Sequence, residues 1–517
     1  MDTKELVSPA MGWASWNHFR QDINEPIILD TARAMADSPL AAAGYEFINL
    51  DDCWQSSDRD INGELQFDAA AFPDGAQMID QIHALGLKVS LYSSCGPMTC
   101  EDRPGSYGHE YRDAQTFANW GVDGLKYDYC HVVDQTTDET LLNKAPKVVA
   151  VECLNQGTGQ RIMLPAERAV VQGGTRIEKN DYGIVFAEGL STGTLSFEAI
   201  LSPGRWVFTV TYLKEEQVNR AFLTLQLGDH SYPLWFPRSS GWSPTGRVQV
   251  IVDVPTEVTQ FVLTNPIKDR ATDAIFRYTQ MHQAISDTAM RRPMGYFVCE
   301  HGRNKPWEWA PAFADSYRIS SDIQNSWSSV VQCYERAMAV APFAKEGCYA
   351  DPDMLEVGNG QLTNIENQTH FSLWCFLSAP LILGNDLRRI ADDEKTGGNA
   401  LAVVTNPQLI AIDQTRPYLP AARIVAGDVD VLVKYLVDGR AAICVVNNSD
   451  TTQTMAVSLH QLPKQINGVA YEYSGRCIEE AWGQYNYHVT VDGTLEMALL
   501  PHACDVFELD AKEAPKK

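Results

Sequence analysis

The sequence predicts an α/β protein: a (β/α)8 TIM barrel interrupted after strand 4 by a β-sandwich insert and followed by a C-terminal antiparallel β-sandwich. Three observations predict it. Residues 8–130 alternate strand-like and helix-like segments. The helix period is lost over about 160–266 and returns at Asp273. After Asp413 and Gln414 the composition shifts to strand-like segments alone. The expected domains are 1–145 and 271–415 for the two barrel halves, 146–270 for the insert and 416–517 for the last sandwich.

In the first half, residues 11–16 form a short apolar run. Residues 27–43 read as one helix, with Ile28, Ala32 and Met35 near helical spacing. Strand 45–50 ends in Asp51-Asp52, helix 76–85 follows, and strand 87–92 ends in small polar residues. Helix 114–120 leads into Gly121-Val-Asp-Gly-Leu-Lys-Tyr-Asp-Tyr-Cys130. Four strand-then-helix units imply a parallel sheet. Each strand ends in polar or aromatic residues, as in a barrel whose chemistry sits at its C-terminal rim. The insert reads as short alternating strands separated by turns such as Ser239-Ser-Gly241. Four further strands are expected at 295–300, 316–318, 347–353 and 380–384, with helices at 274–290, 329–338 and 371–377. The insert lies in a βα connection, so it is expected on the catalytic rim.

Composition narrows the function. A net charge of −25 and a pI near 4.8 disfavour nucleic acid and anionic membranes, and are neutral about sugars. No run of 18 apolar residues predicts a membrane span. The first ten residues lack a signal-peptide pattern, so a cytoplasmic location is expected, with a removed leader left open. The 12 cysteines form no C-x-x-C motif, which argues against zinc-ribbon and thioredoxin-like sites.

Lys126 and Asp128 stand two apart, so they project to one side of a strand end. An incidental ion pair at a solvated terminus is the plain alternative. Hydrolysis of a glycosidic bond with retention needs two carboxylates roughly 5–5.5 Å apart. The second candidate is Asp322, four residues after Arg318; a helical turn there would put both on one face. A nucleophile must stay ionised, which Lys126 favours for Asp128; Asp322 is then the acid/base. A helix cap is the alternative for Asp322. Adjacent Asp51 and Asp52 repel unless something binds them: sugar hydroxyls, or a metal, which would want more ligands nearby. Trp16 and Trp54 suit stacking on a pyranose, with core packing the stronger alternative for Trp54.

Met11-Gly-Trp-Ala-Ser-Trp-Asn-His-Phe19, Asn49-Leu-Asp-Asp-Cys-Trp54, Gly86-Leu-Lys-Val-Ser-Leu-Tyr92, Leu125-Lys-Tyr-Asp-Tyr-Cys130, Cys299-Glu300, Arg318 with Asp322, and Asp351-Pro-Asp-Met354 occur in this order. Together they resemble the α-galactosidase and α-N-acetylgalactosaminidase family of retaining glycosidases, family 27. The resemblance implies Asp128 as nucleophile and Asp322 as acid/base. It implies Asp51 and Asp52 on the galactose 4- and 6-hydroxyls and Lys126 on the 3- and 4-hydroxyls. Trp16 and Tyr92 would line the pocket, Glu300 and Arg318 would lie around the 2-hydroxyl, and Asp353 would be a further pocket acid. It implies no cofactor, no metal in the catalytic site, and a carbohydrate partner with a terminal α-galactose; a homo-oligomer stays open. Glu300 is large where relatives that take N-acetyl sugars have small residues. Asp51 is intact where β-L-arabinopyranoside enzymes alter it. Both favour galactose.

The chain also departs from the family. His301 follows Cys-Glu where tryptophan is common, and reads as a hydrogen-bonding rim residue. Tyr349-Ala350 precedes Asp-Pro-Asp-Met where Trp-Asn is common, which leaves aglycone preference open. Gln21 and Ala314 stand where secreted relatives place partners for Cys53 and Cys299. Only Cys100 and Cys130 keep the matching disulfide pair, which fits a reducing cytoplasm.

The insert resembles carbohydrate-binding modules of the family 6/35 kind, through Pro165-Ala-Glu-Arg-Ala169, Gly173-Gly-Thr-Arg-Ile-Glu178 and Pro203-Gly-Arg-Trp-Val-Phe-Thr-Val210. That resemblance implies a structural calcium at Glu167 and Glu178. Trp235 and Trp242 would stack on a sugar or pack in a core. The function expected is exo-α-galactosidase. The alternatives are α-N-acetylgalactosaminidase, β-L-arabinopyranosidase, and a catalytically silent sugar-binding protein.

Overall fold

The computed structural model describes residues 6–132, 145–213, 220–228, 230–237, 244–267, 269–437, 439–466, 469–483, 487–490 and 493–513. Two compact units divide the chain. One holds residues up to Val132 and from Tyr278 onward; the other runs Val133–Arg277. The second division falls inside the helix Arg270–Asp287, beyond the expected 270.

The first unit is built on an eight-stranded parallel sheet: β1 (Met11–Ala14), β2 (Phe47–Leu50), β3 (Lys88–Ser94), β4 (Gly124–Asp128), β5 (Gly295–Cys299), β6 (Ser316–Arg318), β7 (Tyr349–Asp351) and β8 (Leu381–Leu383). The order is β7-β6-β5-β4-β3-β2-β1-β8, and a single parallel bridge, Leu355 to Leu383, links the last segments. The strands are buried on both faces, hence their apolar runs without alternation. Gly12 marks the closest approach: a Cβ there would meet the Phe47 carbonyl oxygen at 2.5 Å.

The helices differ in how much they bury. Glu25–Asp37 is capped by Asn24, whose side chain accepts from the Ile27 N–H at 3.0 Å, and buries Ile28, Ala32 and Met35. The helix read over 27–43 is two. Pro39 has no N–H to continue the ladder, and Ser38 caps a new helix, Pro39–Ala43. Asn364–Leu377 starts with a full capping box from Thr363 and Glu366 and is buried almost all round.

After the helix Pro407–Gln414, a six-stranded antiparallel sheet and a three-stranded one share an apolar core containing Val433, Ile443, Leu495 and Phe507. Lys434 reaches out of that core. Its Nζ donates to the Cys375 carbonyl at 2.8 Å and to Ser378 Oγ at 2.7 Å, which ties the sheet to the end of Asn364–Leu377.

The second unit has a five-stranded and a six-stranded antiparallel sheet around one core that includes Phe197, Trp206, Phe208 and Phe261. Val148–Asn155 is a central strand here, paired with Gly204–Leu213. The sequence reading began its strands later, near Gln160. The turn 239–241 and Trp242 lie outside the described residues.

Cys100 and Cys130 are disulfide-bonded, while Cys53, Cys299 and seven others among the described residues are buried and outside any disulfide. No helix among the described residues is long and apolar enough to cross a membrane. Two measurements check this architecture. Gly12→Ala should cost ~1–3 kcal/mol in denaturant unfolding through overpacking against Phe47; an unchanged midpoint would mean that β1 and β2 lie further apart. Thiol titration in denaturant without reductant should find at least the nine free cysteines, and reduction should add the two of the disulfide.

Candidate active site

Parallel strands bring their C-terminal ends to one rim, and the polar residues after each strand collect there. Four of those residues take left-handed backbone conformations: Cys53 (φ 75°), His131 (φ 56°), His301 (φ 60°) and Asp353 (φ 92°). Such non-glycine conformations cost free energy and cluster where a chain must aim a side chain.

Asp128 ends β4 opposite Cys299 of β5 and is buried. Its Oδ1 accepts from its neighbour's amide, Tyr129 N, at 2.7 Å and sits 3.1 Å from His301 Nε2. Both partners engage the same oxygen. Among the described residues no hydrogen bond reaches Oδ2. Burial alone would raise the carboxyl pKa. The hydrogen bond and charge of His301, with Lys126 and the Tyr129 N–H, outweigh it and hold Asp128 well below the usual carboxylate range.

Lys126 is less the partner of Asp128 than the sequence suggests. Its Nζ donates to Asp51 Oδ2 at 2.7 Å and lies 5.3 Å from the centre of the Tyr92 ring. The Asp51-Asp52 repulsion is thereby relieved within the protein. Asp51 has Lys126; Asp52 accepts from the Cys53 and Glu101 amides at 2.8 and 2.9 Å. Burial still lifts Asp52 to about 6.

Arg318 ends β6, fully buried, and divides its guanidinium. One nitrogen, Nη2, donates to both Asp353 and Asp322, the latter at 2.8 Å. The expected Arg318–Asp322 contact forms, but through a bend; residues 319–325 are not helical. Asp353 also accepts from the Ile323 N–H at 2.7 Å, and burial lifts it to about 6 despite Arg318. Asp322 is different: its side chain is 56% exposed. Partial burial raises its pKa, but Arg318 above all, then His301 and Lys126, bring it below the ordinary value, with Asp128 opposing. A cavity of about 660 Å³, including its open mouth, is lined by Asp51, Lys126, Cys299, Arg318 and Asp353.

Other expected residues fall as follows. Trp16 is half-buried, with the Arg20 guanidinium 5.4 Å from its ring. The short helix Trp16–Phe19 that carries it is held by Asn17, which donates to Glu356 Oε1 at 2.5 Å, a contact with no signal in the sequence. Trp54 is core: it packs on Phe67, Phe117 and Trp120 and donates to the Tyr92 carbonyl at 2.9 Å. Tyr92 is buried, its OH 3.4 Å from Cys130 Sγ. Glu300 folds back on its own loop and accepts from the Asn304 N–H. Burial raises it to about 7, and Oε2 has no hydrogen-bond partner among the described residues. His301, read as a rim residue, lies at the centre of the site. Its Nδ1 is 3.5 Å from Asp322 Oδ1 while its Nε2 faces Asp128. The substitution for tryptophan was the available signal; the contact spans 173 positions and has no local pattern.

Among the described residues, side-chain groups able to gather around a metal are Cys100–Asp128–Cys130, two of them disulfide-bonded, and Asp128–Cys299–His301. Neither includes Asp51, Asp52, Glu167 or Glu178. Glu167 and Glu178 are exposed, and Glu178 is ion-paired with Arg176 at 3.1 Å. These two glutamates therefore gather no further side-chain ligand among the described residues. Trp235 packs against Phe222 and Phe276.

Comparison with known proteins bears on the whole arrangement. The family described as Alpha galactosidase A matches residues 8–185 and 269–415. Alpha-galactosidase A of Cellvibrio japonicus (strain Ueda107) is 30% identical over 456 residues, 86% of this chain and 76% of that protein. Alpha-galactosidase 2 of Arabidopsis thaliana is 27% identical over 517 residues, 99% of this chain and 92% of that one. The crystal structure of alpha-galactosidase I from Mortierella vinacea has a TM-score of 0.64 at 24% identity and covers 98% of both chains. The family match takes in both segments that supply the rim carboxylates, and by it the chain belongs to the alpha-galactosidase A family.

Proposed function

We propose that this protein is a retaining exo-glycosidase that hydrolyses terminal α-D-galactosyl residues of oligosaccharides or glycoconjugates by double displacement. The observation that carries the reading is the pairing of unlike carboxylates at one rim. Asp128 is buried, ionised and has an unengaged Oδ2; Asp322 is half exposed, and one imidazole lies between them.

In the first step Asp128 Oδ2 attacks the anomeric carbon and Asp322 protonates the departing oxygen. In the second, Asp322 takes a proton from water, which attacks the same carbon and releases Asp128. The electrostatics without substrate support the second role. Arg318 already holds the Asp322 pKa below its ordinary value, with the negative charge of Asp128 opposing. Ester formation removes that opposing charge and favours the carboxylate further, the form a base needs. Asp51, fixed by Lys126, and Asp52 would hold sugar hydroxyls, and Tyr92 and Trp16 would border the ring. All steps are assigned to protein side chains.

Finer points belong to the same reading. The parallel sheet is read as a closed (β/α)8 barrel, and the flanking antiparallel units as β-sandwiches, the inserted one of carbohydrate-binding type. Buried free thiols at Cys53 and Cys299 support a reducing, cytoplasmic setting.

Nitrophenyl α-galactoside, α-N-acetylgalactosaminide and β-L-arabinopyranoside, assayed side by side, test the substrate. Release is expected chiefly from the first; release only from another would overturn the galactose assignment. Asp128→Ala should abolish turnover while the protein melts as a folded chain, and clear residual turnover would remove it as nucleophile. Asp322→Ala should slow substrates with poor leaving groups by about 10²- to 10⁴-fold. It should slow formation of the sugar ester far less for dinitrophenyl galactoside, which needs no acid. Equal loss on both would count against Asp322 as the acid.

A further inference from the structure

His301 touches both carboxylates, and it touches each at the same kind of atom. Nε2 lies 3.1 Å from Asp128 Oδ1, and Nδ1 lies 3.5 Å from Asp322 Oδ1. The other partners of these carboxylates fall on the same oxygens: Tyr129 N on Asp128 Oδ1, and Arg318 Nη2 on Asp322 Oδ1. Among the described residues the Oδ2 atoms of both are without a hydrogen bond. The ring itself is aimed by backbone. His301 has φ 60° and Gly302 φ 71°, and a Cβ on Gly302 would meet the Ile319 carbonyl at 2.3 Å. The loop is therefore pressed against the segment that follows β6, the one that carries Asp322.

We propose that His301 is a positioning residue that clamps both carboxylates by their Oδ1 atoms, so that both Oδ2 atoms face the substrate. The inference rests on Asp128 and Asp322 being the reacting pair. An ionised carboxylate only accepts hydrogen bonds, so Nε2 must carry a proton and donate it towards Asp128. Nδ1 is then the ring atom that faces Asp322, and it holds an ionised Asp322 only when it too carries a proton, in the imidazolium. The clamp joins an oxygen fixed to the sheet, on Asp128, to one on an exposed bend, on Asp322. It orders the less constrained partner at the cost of one ring. It also places an imidazole between the two that lowers the pKa of both carboxylates. The groups that face the ring are Asp128 from β4, the Cys299 thiol 3.8 Å from Nε2 on β5, Glu300 from its own loop and Asp322 from the bend beyond β6; Lys126 and Arg318 act in turn on Asp128 and Asp322. Cys299 stays a thiol, since burial raises its pKa well above the ordinary value.

The pH sense follows from the sign. His301 helps hold Asp128 ionised, so its removal raises the pKa of the nucleophile. The acid limb of kcat/KM, which reports the free enzyme, then moves to higher pH. In His301→Ala the loss of a charge-assisted hydrogen bond should lower kcat about ten- to a hundredfold with little change in KM. His301→Gln keeps an N–H donor for Asp128 without a titrating ring. It should recover most of that kcat at its optimum while its acid limb stays displaced. Thermal melts of both variants exclude unfolding as the cause, and Gln supplies the answer if Ala does not fold. A His301→Ala profile within twofold of wild type, with an unmoved acid limb, would overturn the clamp. So would equal losses in Ala and Gln with an unmoved limb, since that is a packing role only. NMR of ring-15N-labelled histidine separates this outcome from failure of the glycosidase reading. Whatever the substrate, the hydrogen-bonded Nε2–H signal of His301 should change in Asp128→Asn; an unchanged signal would also overturn the proposal.

Discussion

Asp128 has to remain ionised while almost wholly removed from water, and the rim is arranged around that requirement. Burial by itself opposes the charge. Three donors or cations answer it: the Tyr129 amide next door, Lys126 on the same strand, and His301 from the loop that follows the neighbouring strand. The adjacent amide costs nothing extra, because β4 must end there. The imidazole does cost something, since it requires a left-handed residue at 301.

The remaining charges are shared rather than paired one to one. Arg318 serves Asp322 and Asp353 together; Lys126 serves Asp51 directly and Asp128 at longer range. The carboxylates of the rim fall into two electrostatic states. Asp128 and Asp322 are held low, and Asp52 and Asp353 are lifted to about 6. Two carboxylates with separate environments can take separate roles in one reaction.

Much of this was legible in the chain. The strands of the parallel sheet were visible because buried parallel strands read as short apolar runs with polar ends, as 47–50 and 124–128 do. Helix 27–43 was misread as one because apolar spacing survives across Ser38-Pro39, where the hydrogen-bond ladder does not. Val148–Asn155 was passed over, although its burial alternates in the manner of a half-buried strand. Trp54 shares the sequence setting of Trp16, a tryptophan just past a strand end, yet one is core and the other half exposed. Only the positions of Phe67 and Trp120 decide between them.

The sequence by itself determined the eight strands, their parallel character and the identity of the acidic residues at their ends, because period and strand-end chemistry are local properties. It could not assign partners. Lys126 and Asp51 are 75 positions apart and His301 and Asp128 are 173 apart. Whether such groups touch depends on sheet register and on the backbone turn at His301. Only the tertiary structure decided that the lysine two residues before Asp128 belongs to Asp51, and that the histidine stands between Asp128 and Asp322.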